Sequence, residues 1–536
     1  MKIAIIGGGV SGLSALWSLT QHSQHEVHIY EKADWWGGHA HTVEFQRESN
    51  LHLLLKLDQT HIPKSNVKYG TYRPGKEKCD IDTAFIAINS KNYPNFYKFL
   101  VDHGIEMIKT TMSFSLSRDE GKFEWASDDF WALFCQGSNV FKPRVYRMMW
   151  DILRFNLFAV DLLSEKGESE ILSIGEYLDR EGYSQAFKED YLLPLSAGIW
   201  SIPPEKVALD FPAMALIRFF HNHQMLQLYG KPAWLTIKGG SKTYVDYIIS
   251  KMDSSKLHLN VGIDTVQPTS QGIWVTTEHG KKELFDKVIL AAHTDQAVRF
   301  LGQNISEEEK MLLGDCQWSA NEAVVHYDEA LMPMRKKAWT AWNYLTSTAY
   351  IHPTHEAKTS ASDVNSISIT FNLNILQSLP ISKRGLALVT LNPPVQPDPS
   401  KTLARYVYHH PELTPSLINA QKKLDSIQGR RGVYFSGAWT GYGFHEDGWR
   451  SGMEITQRSE FDMQTKEEIL YVDGRDVKFG MVEKTLRVMV GMIDWSVKGL
   501  FGWMIWMICV WISIVRRLSG RNTSNNPTHN GRKKLD

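Results

Sequence analysis

Cysteine is scarce: Cys79, Cys135, Cys316 and Cys509 are the only four in 536 residues, far apart and without a CxxC pair. That spacing excludes a disulfide scaffold and a zinc knuckle, and it fits a reducing compartment. Net charge is absent as well. With 59 basic and 59 acidic side chains, the chain has no overall surplus of cations for phosphate backbones, so nucleic acid is not an expected partner. No GxSxG elbow, P-loop or HExxH occurs, which leaves hydrolase, NTPase and zinc-protease readings without support. The opening apolar run is too short for a secretory signal. What remains, 43% hydrophobic and 22% charged, is the composition of a globular chain with room for about three domains.

The first thing present is a strand, Lys2 to Ile6, opening onto Gly7-Gly8-Gly9-Val10-Ser11-Gly12. Leucines at helical spacing follow (Leu13, Leu16, Leu19), then a second strand, Glu26 to Tyr30, ending at Glu31. This is GxGxxG in its dinucleotide-binding context. Gly7 allows the tight turn, Gly9 lets backbone approach a pyrophosphate, and Gly12 lets helix and strand come close. The phosphates then meet the helix N-terminus, around Ser11, where free N–H groups favour anions. Glu31 stands 19 residues beyond Gly12, at the spacing of an acid that binds a ribose hydroxyl.

A second glycine pair, Gly37-Gly38, follows the acid and leads into His39. From here the sequence resembles the flavin-containing amine oxidase and phytoene desaturase superfamily, in which the ribose acid is followed by such a pair. The resemblance implies FAD. Where the superfamily carries arginines this chain has Trp35 and His39, which weakens the implication of amine specificity. His39 and His41 have no third ligand nearby, so no metal is expected. A hairpin expected between Val261 and Thr277 corresponds to the superfamily's adenine-holding element around Ile263, although a purely structural hairpin reads equally well. A third segment runs from Tyr434 to Gly452 and includes Gly437, Asp447 and Gly448. It is a strand, a glycine-rich loop and a helix start, where N–H groups can face a flavin or its pyrophosphate.

Further stretches, among them Asp82-Thr83-Ala84-Phe85 and Gly443-Phe444-His445-Glu446-Asp447-Gly448, resemble a family of FAD-binding amine-oxidase-like proteins. Some members are encoded beside, or fused to, cyclopropane fatty acid synthases and related lipid methyltransferases. The resemblance covers roughly residues 1–460. It implies a lipid or other apolar substrate and a lipid methyltransferase as partner. Residues 46–78 read as an insertion.

The expected fold is α/β. A discontinuous Rossmann-like FAD domain takes residues 1–95, 235–305 and 430–460, and an α+β substrate domain takes 96–234 and 306–429, with 96–234 mainly helical. Aromatics crowd the substrate side, including Trp131, Trp200, Phe219, Phe220, Trp234 and Trp342. Candidate acid–base groups are His445 and Glu446 beside the flavin loop and Lys238 beside Gly239-Gly240. The competing readings are that His445 bonds backbone, Glu446 and Asp447 cap a helix, and Lys238 is solvated. Three functions stay open: oxidation or isomerisation of a long-chain acyl lipid, amine oxidation, and a flavoprotein scaffold without turnover.

The C-terminal end differs from the rest. Gly499 to Val515 holds 17 residues without a charge, bounded by Lys498 and by Arg516 and Arg517. That is the lower limit for a spanning helix, about 17 residues. Trp503, Trp506 and Trp511 suit a membrane interface. Residues 485–517 are therefore expected to be membrane-associated and 518–536 to be a disordered basic tail. Lys533-Lys534-Leu535-Asp536 resembles a dilysine retrieval signal of endoplasmic-reticulum membrane proteins, which is read from the cytosol. An in-plane segment with both ends cytosolic satisfies the signal and the charge pattern together.

Overall fold

In the computed structural model the described residues are 1–46, 77–129, 131–163, 172–227, 232–347, 368–472, 477, 479–496 and 507. The expected insertion lies almost wholly outside them. The Gly499–Val515 stretch does too, apart from Met507, as does the basic tail.

One sheet has the strand order Val433–Phe435, Lys287–Leu290, Lys2–Ile6, Glu26–Glu31 and Leu257–Leu259, and every pairing in it is parallel. A parallel sheet is covered on both faces, so its strands are apolar on both sides. Lys2–Ile6 shows the rule. Ile3 and Ile5 enter the core beneath Leu13 and Leu16, while Ala4 and Ile6 enter the opposite one with Val266 and Phe285. The expected hairpin is a three-stranded antiparallel sheet of Ile263–Thr269, Gly272–Thr277 and Lys282–Phe285.

The second large sheet has seven strands: Thr402–Pro411, Trp318–His326, Leu388–Leu391, Ser368–Asn372, Trp342–Thr346, Phe114–Arg118 and Phe123–Ala126. Residues 96–234 are less uniformly helical than their spacing suggests, because Met107–Thr110, Phe114–Arg118 and Phe123–Ala126 are strands. These segments are too short for periodicity to show: Met107–Thr110 and Phe114–Arg118 pair with strands more than 100 residues away, and Phe123–Ala126 folds back on Phe114–Arg118 as a hairpin. Helices fill the rest of that region, with Pro143–Phe158 and Ala213–Asn222 among them.

The first and last segments of the parallel-sheet unit meet where the Val10–His22 helix packs on the His445–Thr456 helix. Their contact is made by small residues. A Cβ on Gly448 would stand 2.5 Å from Val10 Cγ1, and one on Gly452 would stand 2.4 Å from the Ser11 carbonyl oxygen. Ser14 Oγ donates to the Trp449 carbonyl at 2.7 Å, and Thr456 Oγ1 donates to Ser18 Oγ at 3.1 Å.

Replacing a helical glycine by alanine ordinarily stabilises a helix by about 0.5–1 kcal/mol. Gly452→Ala should do the opposite. Overpacking of this kind costs about 1–3 kcal/mol, and the lowered midpoint of denaturant unfolding measures it.

Candidate functional site

At the carboxyl ends of the parallel strands lies a cavity of about 550 Å³, the place where open α/β sheets take their ligands. Gly7, Gly9, Val10 and Ser11 form one wall and Glu31 another, with Gly37, Gly38 and His39 above and Ile263, Gly437 and His445 further round.

The first loop has the geometry its spacing implies. Gly7 has φ +113° and its absent Cβ would meet the Ala291 carbonyl oxygen at 2.2 Å, so the turn admits no side chain. A Cβ on Gly12 would stand 1.9 Å from the Gly7 carbonyl oxygen. Gly9 differs, since a Cβ there would meet nothing within 4 Å and would project into open space. No side chain caps the helix that starts at Val10, which leaves its N-terminal N–H groups for an anion. Gly37 N–H donates to the Gly8 carbonyl at 2.8 Å, laying the second glycine pair over the first. Glu31 accepts from the N–H groups of Gly8 and Ala33, both at 2.7 Å. Burial raises its pKa.

Histidines line the middle of the cavity. His39, His293, His409 and His410 all border it. Burial pushes His39 down to about 4 and His293 and His410 down to about 3, so these three are neutral near pH 7. His39 Nε2 is buried without a hydrogen-bond partner, and a buried polar atom of that kind calls for one. Trp318 stacks on His293 with ring centroids 3.9 Å apart. Of the four, only His39 was expected from sequence. His293 had a usable signal, because it follows the carboxyl end of the Lys287–Leu290 strand. His409 and His410 had none, because only the seven-stranded sheet brings them here.

The candidate acid–base residues separate. His445 reaches the cavity, stacks on Phe85 with centroids 3.7 Å apart and bonds Tyr244 Oη through Nε2 at 2.9 Å. Burial holds its pKa well below the usual imidazole value. Glu446 does not line the cavity. It points the other way along the helix and accepts from Asn95 N–H at 3.0 Å, Asn95 Nδ2 at 2.6 Å and Phe96 N–H at 3.0 Å, so it caps the Pro94–Asp102 helix. Lys238 is also outside: at the end of the Trp234–Ile237 strand its side chain alternates away from buried Ile237 and pairs with Glu106 at 2.8 Å on the surface.

Asp447 and Gly448 are near the cavity without bordering it. The Asp447 carboxylate accepts from Tyr442 N–H at 3.0 Å and Phe444 N–H at 2.9 Å, which shapes the loop whose Gly443, Phe444 and His445 are in the wall. Gly448 serves the helix contact with Val10. Asp82 emerges as a buried clamp, accepting from Thr42 Oγ1 at 2.6 Å and from Ser241 N–H and Oγ at 2.8 and 2.7 Å. Burial pushes it up to about 6.

The uncapped helix N-terminus, the open space at Gly9 and the unsatisfied His39 Nε2 leave room and hydrogen-bonding groups for an anionic ligand at this cavity. A family model described as flavin containing amine oxidoreductase matches residues 10–306. The chain belongs to that family: it is an FAD-dependent oxidoreductase. No curated protein matches it in sequence. Among solved structures it is similar to cyclohexylamine oxidase from Brevibacterium oxydans IH-35A, with 12% identity, a TM-score of 0.57, and coverage of 86% of this chain and 99% of that one. It is similar also to a CLA-producing fatty acid isomerase from P. acnes, with 13% identity, a TM-score of 0.54, and coverage of 85% and 98%. A reduced UDP-galactopyranose mutase shares 14% identity, with a TM-score of 0.54 over 86% of this chain and 94% of that one. Likeness at such identities establishes the fold.

Two predictions follow from these positions. Gly9→Ala should leave the flavin-free melting temperature unchanged and weaken FAD at least about tenfold, equal to about 1.4 kcal/mol, as read by flavin-to-protein ratio after dialysis. Gly12→Ala should lose both stability and flavin. The second concerns Glu446, which burial pushes from 4.5 up to about 7. Its stabilising contribution is present below pH 4.5 and is lost as pH rises through about 7. Each unit of pKa difference is worth about 1.4 kcal/mol. Unfolding free energies measured between those limits should fall less with rising pH in Glu446→Gln than in the parent.

Proposed function

We propose that the protein oxidises or isomerises a long-chain acyl group. One observation carries this reading: the cavity that borders the Gly7–Ser11 loop is lined also by Phe114, Leu195, Ile199, Phe371, Leu376 and Leu391. The charged side chains among its described lining residues, Glu31, Lys32 and Arg299, belong to the nucleotide end and to the helix packed on the adjoining hairpin. An apolar chain gains about 0.8 kcal/mol for each buried CH₂ in such surroundings, whereas an ammonium there would lack a carboxylate partner.

The residues that would hold FAD fit it: Gly7 to Gly12 at the phosphates, Glu31 at the ribose, Ile263 at the adenine end, and Gly437 with His39 nearer the reactive end. FAD supplies hydride acceptance when bound. The protein supplies the rest. The apolar end selects and aligns the chain, and its walls exclude water, which makes positioning the larger part of the protein's contribution. His445, fixed by Tyr244, presents a neutral imidazole that can accept or donate a hydrogen bond without bringing charge into the cavity. The fold occurs both in a CLA-producing fatty acid isomerase and in a cyclohexylamine oxidase, so the cavity lining carries the choice of an acyl substrate.

A second reading, amine oxidation, draws on the aromatic side chains of the cavity wall, Phe219 and Phe444 among them, since an aromatic ring face attracts a cation. Anaerobic mixing decides between them. Bleaching of the flavin by fatty acids or phospholipids but not by amines supports acyl oxidation. A shifted double bond without net bleaching supports isomerisation. Bleaching by amines alone overturns the proposal, and turnover of neither class points to a scaffold. Leu376→Trp should raise KM for long chains about tenfold, or about 1.4 kcal/mol, and leave the flavin content unchanged.

A further inference from the structure

Residues 481–496 form a helix that leaves most of its apolar side chains exposed. On an ordinary surface helix the apolar stripe faces the protein and the charges face water. Here Val490 is buried, but beside it Arg487 and Asp494 turn toward the protein. The Arg487 guanidinium forks onto both Asp161 carboxylate oxygens at 2.8 Å, donates to the Leu157 carbonyl, and lies 4.8 Å from the Phe158 ring centroid. Asp494 pairs with Arg154 Nε at 3.0 Å. Both ion pairs join the helix to the Pro143–Phe158 helix and the Ala159–Leu163 turn after it. The outward face carries Met481, Val482, Val488, Met489, Met492, Ile493 and Trp495, and their exposure runs from 48% at Ile493 to 86% at Met481. Lys484, Thr485 and Ser496 are the polar residues exposed among them. An apolar face held outward while ion pairs tie the opposite side to the protein is made for contact with something apolar.

We propose that this helix lies flat in the headgroup–acyl boundary of a lipid bilayer, with Val488, Met489, Met492, Ile493 and Trp495 in the lipid. Three observations favour a bilayer over a protein partner. The sequence runs directly on into Gly499–Val515, uncharged and holding Trp503, Trp506 and Trp511, with Lys498 before it and Arg516 and Arg517 after it. Tryptophan and flanking cations are the residues that the interface and anionic headgroups select. The orientation is in-plane. Among the described residues no helix is long and apolar enough to cross a membrane. Arg487 and Asp494 lie two turns apart on the protein side, so upright insertion would carry an ion pair into hydrocarbon. In-plane binding of an amphipathic helix leaves that side in the headgroups and needs only the outward face buried.

The consequence is an orientation for the whole molecule. The Ala159–Leu163 turn packs on the Ala213–Asn222 helix, and that helix places Phe219 in the cavity wall. The bilayer is thereby set against the helical side of the substrate domain, not against the nucleotide sheet. This inference does not depend on the acyl-chain reading.

Vesicle flotation of the full-length, flavin-loaded protein tests it, with phosphatidylcholine vesicles containing phosphatidylserine as the probe. The parent should float. The triple variant Met489→Glu, Met492→Glu, Trp495→Glu should bind at least tenfold more weakly while keeping its flavin, which shows that it folds. A second variant has serines at the three tryptophans of Gly499–Val515 and leaves 481–496 intact. It should still bind vesicles more tightly than the triple variant does. Undiminished flotation of the triple variant overturns the proposal, because the later tract then carries all the binding. A parent that ignores vesicles and sediments as a dimer, becoming a monomer on triple substitution, also overturns it, because a second copy then covers the face.

Discussion

The close contact between the Val10–His22 and His445–Thr456 helices is the constraint on which the site depends. These helices come from opposite ends of the described fold, and nothing in local sequence holds them together. They approach because Gly448 and Gly452, one turn apart, present bare backbone to Val10 and Ser11. That approach sets the Gly437 loop and His445 across the cavity from Gly9. A bulkier pair would move the two halves of the cofactor cradle apart, since packed interiors relax only partly around added atoms.

The chemistry of the cavity follows from desolvation. His39, His293, His410 and His445 are all held below the ordinary imidazole range by burial. The site therefore offers neutral imidazoles near pH 7, and among its described lining residues the cationic side chains are Lys32 and Arg299. The carboxylates near the cavity have structural roles. Glu446 holds the Pro94–Asp102 helix, Asp447 shapes the loop ahead of its own helix, and Asp82 clamps Thr42 to Ser241.

Two surfaces of the chain depart from the usual distribution of polarity, and they do so in opposite senses. The cavity buries polar imidazoles inside the protein, and the 481–496 helix exposes apolar side chains outside it. In both cases the exception is supported by named neighbours: Tyr244 and Phe85 around His445, Asp161 and Arg154 beneath the helix.

How much was legible in the sequence divides along a physical line. Features with a local cause could be read directly. The strand before Gly7, the turn, the helix and the acid at Glu31 follow from glycine sterics and short-range periodicity, and FAD follows from them together with Gly37 and Gly38. Direction within a short motif could not be read. His445 and Glu446 are neighbours on one helix start, about 100° apart around the axis. Only the packing of that helix decided that the imidazole enters the cavity while the carboxylate caps another helix. Lys238 was drawn toward the site by its place beside Gly239 and Gly240, yet strand alternation sends it to Glu106 on the surface. The sequence by itself determined the strand, the glycine turn and the helix start whose Gly7, Gly9, Val10 and Ser11 border the cavity. The tertiary structure decided which groups close the cradle, because pairings such as His39 with His410, more than 350 residues apart, are made by sheets and not by spacing.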